Sequence, residues 1–246
     1  MSAEPIIGMI VPPAAGEVPA EPLQMYPQGV RFIAEGLALG KLTPEGYDQV
    51  IGRVEAVSRS LQAKGANAIV LMGTSLSFYR GPQSNAELIR IMRQATGLPA
   101  TTMSSGVVEA LRTLGARRLT VATAYVDEVN RRLATFLDDA GFTVAHLEAL
   151  GLERVEDVLA VKQDDLLERG ARAATAVPDA DALFISCGGL RTLDITVPLE
   201  ERTGLPVVSS ATAGAWAALR LIGRGGRAAG YGRLLDRDWP RASAPA

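Results

Sequence analysis

Five short runs along the chain are apolar at consecutive rather than alternate positions: Ile6–Val11, Ala68–Met72, Leu119–Thr123, Ala182–Ser186 and Val207–Ser209. Such runs have no face to offer to water, so they predict strands of a parallel sheet covered by helices on both sides. The stretches between them carry helical periodicity with recognisable ends. Thr43-Pro44-Glu45 reads as a cap followed by proline at the first helical position, predicting a helix that runs to about Lys64. Ser105 is read as opening a helix closed by Gly115, and Asp127 as opening one that ends near Gly141. Strand and helix in alternation specify right-handed β-α units, and with them an α/β fold.

The chain also states this pattern twice. Thr96-Gly97-Leu98-Pro99 recurs as Thr203-Gly204-Leu205-Pro206, and each copy is followed by a short β-like stretch, Ser/Thr-rich residues and a helix. Those helices cover Val107–Leu114 with Ala110-Leu111-Arg112 and Ala215–Ile222 with Ala218-Leu219-Arg220. Upstream of each copy an apolar run ends in small polar residues, Gly73-Thr74-Ser75 in the first and Cys187-Gly188-Gly189 in the second. Any α/β chain repeats a strand–loop–helix pattern, but an identical tetrapeptide in matching context favours duplication. Because parallel α/β folds bind ligands beyond the carboxyl ends of their strands, two related halves place these loops face to face across a cleft.

Composition narrows the classes of function. A chain of 246 residues, 48% apolar and 21% charged, is long enough to bury a core as one large domain or two lobes. The net charge of −2 is spread over interspersed acidic and basic residues, which excludes the basic stripe of a nucleic-acid binder and the polybasic face of a membrane binder. No apolar run reaches the roughly 20 residues of a spanning helix, and Met1–Pro5 has no signal-peptide character. One cysteine permits no internal disulfide, and a reducing cytoplasm is expected. With one cysteine and one histidine, a structural zinc site is nearly excluded, and no acidic cluster argues for magnesium. The tail from Gly223 to Ala246, rich in Gly, Arg, Ala and Pro, is read as a loop followed by a partly ordered end.

Several motifs do not survive inspection. Gly36–Lys41 has the wrong glycine spacing for a phosphate loop, and Leu42 follows its lysine where a hydroxyl residue is required. Gly223–Gly232 is glycine-rich but follows a helix rather than a strand, unlike a dinucleotide fingerprint. His146 sits in the β-like run Thr143–Leu150 without an evident partner and reads as structural. Cys187 has two readings: a small buried apolar residue, or a reactive group at a strand end whose two following glycines let backbone approach a ligand. Thr74 and Ser75 likewise either cap the next helix or offer hydroxyls and amides to a carboxylate. The rigid loop Pro12–Gly16 falls at the same end of the sheet, as a wall of the site.

The segments GMIVPPAAG (Gly8–Gly16), TPEGYD (Thr43–Asp48), MGTSLSFYRG (Met72–Gly81), ATAY (Ala122–Tyr125), SCGGL (Ser186–Leu190) and PVVSS (Pro206–Ser210) carry a resemblance that spans nearly the whole chain. It is to the arylmalonate decarboxylase family, within the aspartate/glutamate racemase superfamily. The resemblance implies two pseudo-symmetric flavodoxin-like lobes, each with a short parallel sheet flanked by helices, and an active site in the cleft between them. It implies a first lobe of residues 1–114 plus 211–246, with the C-terminal helix packed back on it, and a second lobe of 115–210 carrying Cys187. Racemases and maleate isomerases of the superfamily use a pair of cysteines; here Gly73 stands where the first would be. The pattern with one cysteine is that of the decarboxylases.

The implied reaction is cofactor-free decarboxylation of an α-aryl or α-alkenyl malonate to a chiral carboxylic acid and CO₂. By resemblance, Thr74, Ser75, Tyr125 and the Gly188 backbone form a dioxyanion hole for the retained carboxylate, and Cys187 donates the proton. Leu39, Leu76, Val155 and Val158 form the apolar pocket for the leaving carboxylate; Val158 stands where the family has methionine. Pro13, Gly73 and Gly189 line the cleft. No metal is implied, the partner is a small dicarboxylate substrate, and a monomer is expected. The alternatives are a racemase or isomerase of the same superfamily with a second base other than cysteine, and a catalytically silent carboxylate-binding protein.

Overall fold

The computed structural model describes residues 4–240. In chain order it contains β1 (Ile6–Val11), α1 (Ala20–Met25), β2 (Arg31–Gly36), α2 (Pro44–Ile51), α3 (Val54–Ala63), β3 (Ala68–Leu71), α4 (Thr74–Phe78), α5 (Gly81–Thr96), β4 (Ala100–Thr102) and α6 (Met103–Thr113). The second half continues with β5 (Arg118–Thr123), α7 (Asp127–Asp139), β6 (Thr143–Ala149), α8 (Val155–Leu159), α9 (Gln163–Thr175), β7 (Ala182–Ser186), α10 (Leu193–Thr203), β8 (Val207–Ser209) and α11 (Ser210–Leu221). The strands form two four-stranded sheets with matching orders, β2-β1-β3-β4 and β6-β5-β7-β8, in which every pairing is parallel. Two pseudo-symmetric α/β lobes result, as the duplicated pattern predicts.

The repeated TGLP tetrapeptide is a helix-stop device used in the same way twice. Thr96 closes α5 by donating its hydroxyl to the Met92 carbonyl at 2.7 Å, and its oxygen accepts the Leu98 N–H at 3.2 Å. Thr203 closes α10 with the matching pair, to the Leu199 carbonyl at 2.6 Å and from the Leu205 N–H at 3.3 Å. Gly97 and Gly204 then take the left-handed conformation, φ +70° and +74°, that glycine adopts without steric cost. Each proline follows and turns the chain into the next strand.

The central strands β1, β3, β5 and β7 lie where their apolar runs predict, within a residue at each end, and are almost wholly buried. Other local readings need correction. The helix begun by Thr43 does not reach Lys64 unbroken: it stops at Ile51 and restarts at Val54, because Gly52 and Arg53 interrupt it. Ser105 does not open α6. Thr102 does, its hydroxyl oxygen accepting the Ser105 N–H at 3.1 Å. The edge strand β2 was not foreseen; half-buried and mixed in polarity, it has no periodic signature. The run around His146 is the matching edge strand of the second sheet, β6.

Residues 223–240 of the tail are packed, not frayed. Leu234 and Leu235 are buried, the Trp239 indole donates to the Leu234 carbonyl at 2.7 Å, and the Tyr26 hydroxyl donates to the Gly226 carbonyl at 2.7 Å. Residues 241–246 lie outside the described residues, as do residues 1–3. Helix α11 joins the halves, packing on α6, β3 and β4 on one side and on β7 and β8 on the other. No helix among the described residues is long and apolar enough to cross a membrane.

Candidate active site

The loops that leave β1, β3, β5 and β7 at their carboxyl ends converge on one cavity of about 430 Å³, the position that parallel α/β topology reserves for ligands. Cys187 enters it from β7 and Gly73 from β3, with Thr74, Ser75, Tyr125, Gly188 and Gly189 around them. Pro13 contributes wall from β1, and Val155 and Val158 from α8. Ten of the twelve expected site residues thus meet in one place. Leu39 and Leu76 do not reach the cavity surface. Both are buried behind it: the Leu39 N–H donates to the Pro12 carbonyl, and Leu76 packs against the face of Gly73. Leu42 and Leu159 take places on the wall instead.

The wall crosses the two halves of the chain. Leu42 donates its N–H to the Glu153 carbonyl at 2.6 Å, Val155 donates to the Gly40 carbonyl at 3.2 Å, and Lys41 and Arg154 form an isolated antiparallel bridge. This seam sets the apolar side chains of α8 opposite the loops of β1 and β3. The polar side is built differently. Thr74 and Ser75 are the first residues of α4, whose cap position is held by Gly73 without any side-chain cap bond. Their buried hydroxyls therefore do not close the helix end; both residues line the cavity, and Thr74 Oγ1 donates to Met103 Sδ, behind the wall, at 2.9 Å. The Gly188 N–H has no acceptor among the described residues. Tyr125 is fully buried with its hydroxyl 3.4 Å from Ser186 Oγ.

Cys187 is buried, and burial pushes its thiol up; the Gly189 N–H and the Tyr125 hydroxyl pull the other way without reversing it. Arg191 reaches the cavity rim yet is not among the groups that lower the thiol. Burial thus favours the neutral thiol over the thiolate. Burial also pushes Tyr47 and Tyr125 well above the ordinary phenol range, with the Cys187 sulfur adding to both. Gly73 lines the same cavity as the thiol and brings no side chain to it; a Cβ there would meet Leu76 Cδ1 at 2.8 Å and Pro12 Cγ at 3.4 Å.

Tyr47 is the residue that sequence reasoning missed. Its hydroxyl is buried beside Ser75 but completes no hydrogen bond among the described residues. The TPEGYD segment singled it out without a role. Glu21, also unforeseen, lies on α1 at the cavity rim, and burial raises its carboxyl above the usual range. His146 faces Glu148 at 3.8 Å on the outer strand β6 and is not part of the cavity. No group of three or more His, Cys, Asp or Glu side chains among the described residues is arranged to hold a metal ion.

Two matching parallel sheets around a cleft that holds a single buried cysteine define a two-lobed α/β protein of the fold seen in maleate isomerase. The solved maleate isomerase Iso from Pseudomonas putida S16 superposes with a TM-score of 0.88 over 96% of this chain and 99% of that one, at 21% identity. The family model for arylmalonate decarboxylase matches residues 7–235, and the chain belongs to that family. It is 52% identical to the arylmalonate decarboxylase of Bordetella bronchiseptica over 238 residues, 96% of this chain and 99% of that one. A liganded structure of an arylmalonate decarboxylase variant, in which one glycine is replaced by cysteine and one cysteine by serine, superposes with a TM-score of 0.92 at 52% identity, covering 94% of this chain and 99% of that one.

Proposed function

We propose that this protein decarboxylates α-aryl or α-alkenyl malonates to chiral 2-substituted carboxylic acids and CO₂ without a cofactor, with Cys187 as the sole proton donor. The observation that carries the reading is the make-up of one cavity: a single buried thiol whose protonated form burial favours, a glycine in the matching loop, residues bearing hydroxyls and amides, and the apolar side chains of Leu42, Val155 and Val158.

Cleavage of the carbon–carboxylate bond leaves an electron pair on the α-carbon, which spreads into the aryl group and the retained carboxylate as an enediolate. That charge needs donors already in place. Thr74, Ser75 and Tyr125 supply hydroxyls and the Gly188 backbone supplies an unengaged N–H, while Tyr47, behind the wall, sets its buried hydroxyl beside Ser75. The leaving carboxylate lies against Val155 and Val158, with Leu42 and Leu159 completing the wall and Leu39 and Leu76 filling the space behind. A carboxylate without donors is costly to bury, and its departure as neutral CO₂ removes that cost. The Cys187 thiol then passes its proton to one face of the planar enediolate and regains one from water. With no acid on the Gly73 side, protonation occurs from a single face, so a single enantiomer forms.

The experiment uses purified, EDTA-treated protein with methylphenylmalonate, following CO₂ release and the chirality of the product. Turnover that survives chelation and gives one enantiomer in excess is expected. Cys187→Ala is expected to lower turnover by about 10²–10⁴-fold, the usual contribution of a positioned acid. No turnover across a panel of arylmalonates overturns the reading, and full activity in Cys187→Ala overturns the role of the thiol. A racemase of the same superfamily would instead interconvert the enantiomers of a 2-arylpropionate.

A further inference from the structure

The PVVSS segment (Pro206–Ser210) ends β8 and opens α11, and none of its residues lines the cavity. Its two serines nevertheless hold the loop that carries the thiol, one at each end. At the near end, the Cys187 N–H donates to Ser210 Oγ at 3.2 Å. At the far end, Thr192 Oγ1 donates to Ser209 Oγ at 2.7 Å, and Ser209 in turn accepts the Thr212 N–H as the cap of α11. Ser209, Ser210 and Thr192 are all buried.

The loop between these anchors is strained. Cys187 has φ +145°, and the only other non-glycine residue with positive φ among the described residues is Ala38. A side chain in that region persists only where its surroundings over-determine it. The Leu190 N–H to Cys187 carbonyl bond at 3.2 Å tightens the turn but does not fix where the turn sits. Ser210 does: it is the first residue of a twelve-residue helix packed on α6 and on strands of both sheets. The contact has a second effect. With the Cys187 N–H occupied by Ser210, the free amide at this corner of the cavity is that of Gly188.

We propose that Ser210 is a positioning residue for Cys187: its hydroxyl, with Ser209 at the far anchor, holds the strained loop so that the thiol points at one face of the bound intermediate. This rests on the proton-donor reading of Cys187. Proton delivery depends on geometry, and a misplacement of about 1 Å costs on the order of 10²-fold in rate.

Ser210→Ala removes the acceptor without adding volume to a buried site, and is cleaner than a change at Ser209, which also caps α11. With methylphenylmalonate, Ser210→Ala is expected to lower kcat by about 10–10²-fold with KM nearly unchanged, and to reduce the enantiomeric excess. Ser210→Thr, which keeps the hydroxyl, is expected to restore much of both. Because the chain has one cysteine, iodoacetamide reads the loop without any substrate. Cys187 in Ser210→Ala is expected to be alkylated about tenfold faster, as loss of one buried hydrogen bond implies. Unchanged kcat and enantiomeric excess, or a lower thermal midpoint with stereochemistry intact, overturns the proposal. Equal alkylation rates overturn it too. Absence of turnover in the parent protein sinks the decarboxylase reading alone, and the alkylation comparison still decides the clamp.

Discussion

In the proposed reaction Cys187 delivers a proton and must hold one at rest, and burial rather than a neighbouring acid favours that protonated form. The folded-state pKa is raised above the ordinary thiol value of 9.0. The neutral thiol therefore contributes stability that is fully present below the ordinary value, and lost as pH climbs through the raised one. The same sign governs activity. With methylphenylmalonate, kcat is expected to stay flat from neutral pH past 9.0 and to fall only at higher pH; a falling limb centred below 9.0 would contradict the assignment. Tyr47 and Tyr125, raised in the same direction by burial, keep their donor protons across that range. At this scale much of the site was legible. Cys187, Gly188 and Gly189 announced themselves as a strand end followed by two glycines, and Gly73-Thr74-Ser75 as its counterpart. Tyr47 and Ser210 did not, because an isolated tyrosine or serine carries no periodic signal. Their importance comes from the partners that other parts of the chain bring to them.

At the scale of elements, the two copies of TGLP explain why the halves match, since each stops a helix and launches a short strand with the same hydrogen bonds. The contact between α6 and α11 depends on small residues. A Cβ at Gly106 would meet the Ala213 carbonyl oxygen and Ala217 Cβ, both at 2.9 Å, so these helices cross almost backbone to backbone. Gly106→Leu must push them apart, and is expected to cost about 1–3 kcal/mol of stability, read as a lower urea midpoint at unchanged slope. An unchanged midpoint would mean that the crossing relaxes freely. Because α11 begins with Ser210, the same substitution is also expected to reduce the enantiomeric excess. Element boundaries were the least legible feature. Apolar runs marked the buried strands, whereas the edge strand β2 shares its burial with solvent and looks like a loop in sequence.

At the scale of the whole molecule, α11 packs on strands of both sheets, and the seam of Leu42, Glu153, Gly40 and Val155 ties the halves again at the cavity. Neither half buries its share of this surface alone. The protein is expected to unfold in one transition, with calorimetric and van't Hoff enthalpies equal; two resolved transitions would show that the lobes are independent. Sequence alone determined the α/β class, the doubling of the pattern, the convergence of glycine and hydroxyl loops, and the presence of a single thiol with no cysteine opposite. These are properties of local periodicity and residue chemistry, which the chain carries wherever it is placed. Tertiary structure decided which apolar side chains face the cavity. Leu39 and Leu76 are as apolar as Leu42 and Leu159, yet the first pair lies behind the wall and the second on it. Hydrophobicity alone does not even settle burial, since Leu159 is half exposed where the other three are buried. Only packing across the seam determines whether the surface a side chain meets is core or substrate.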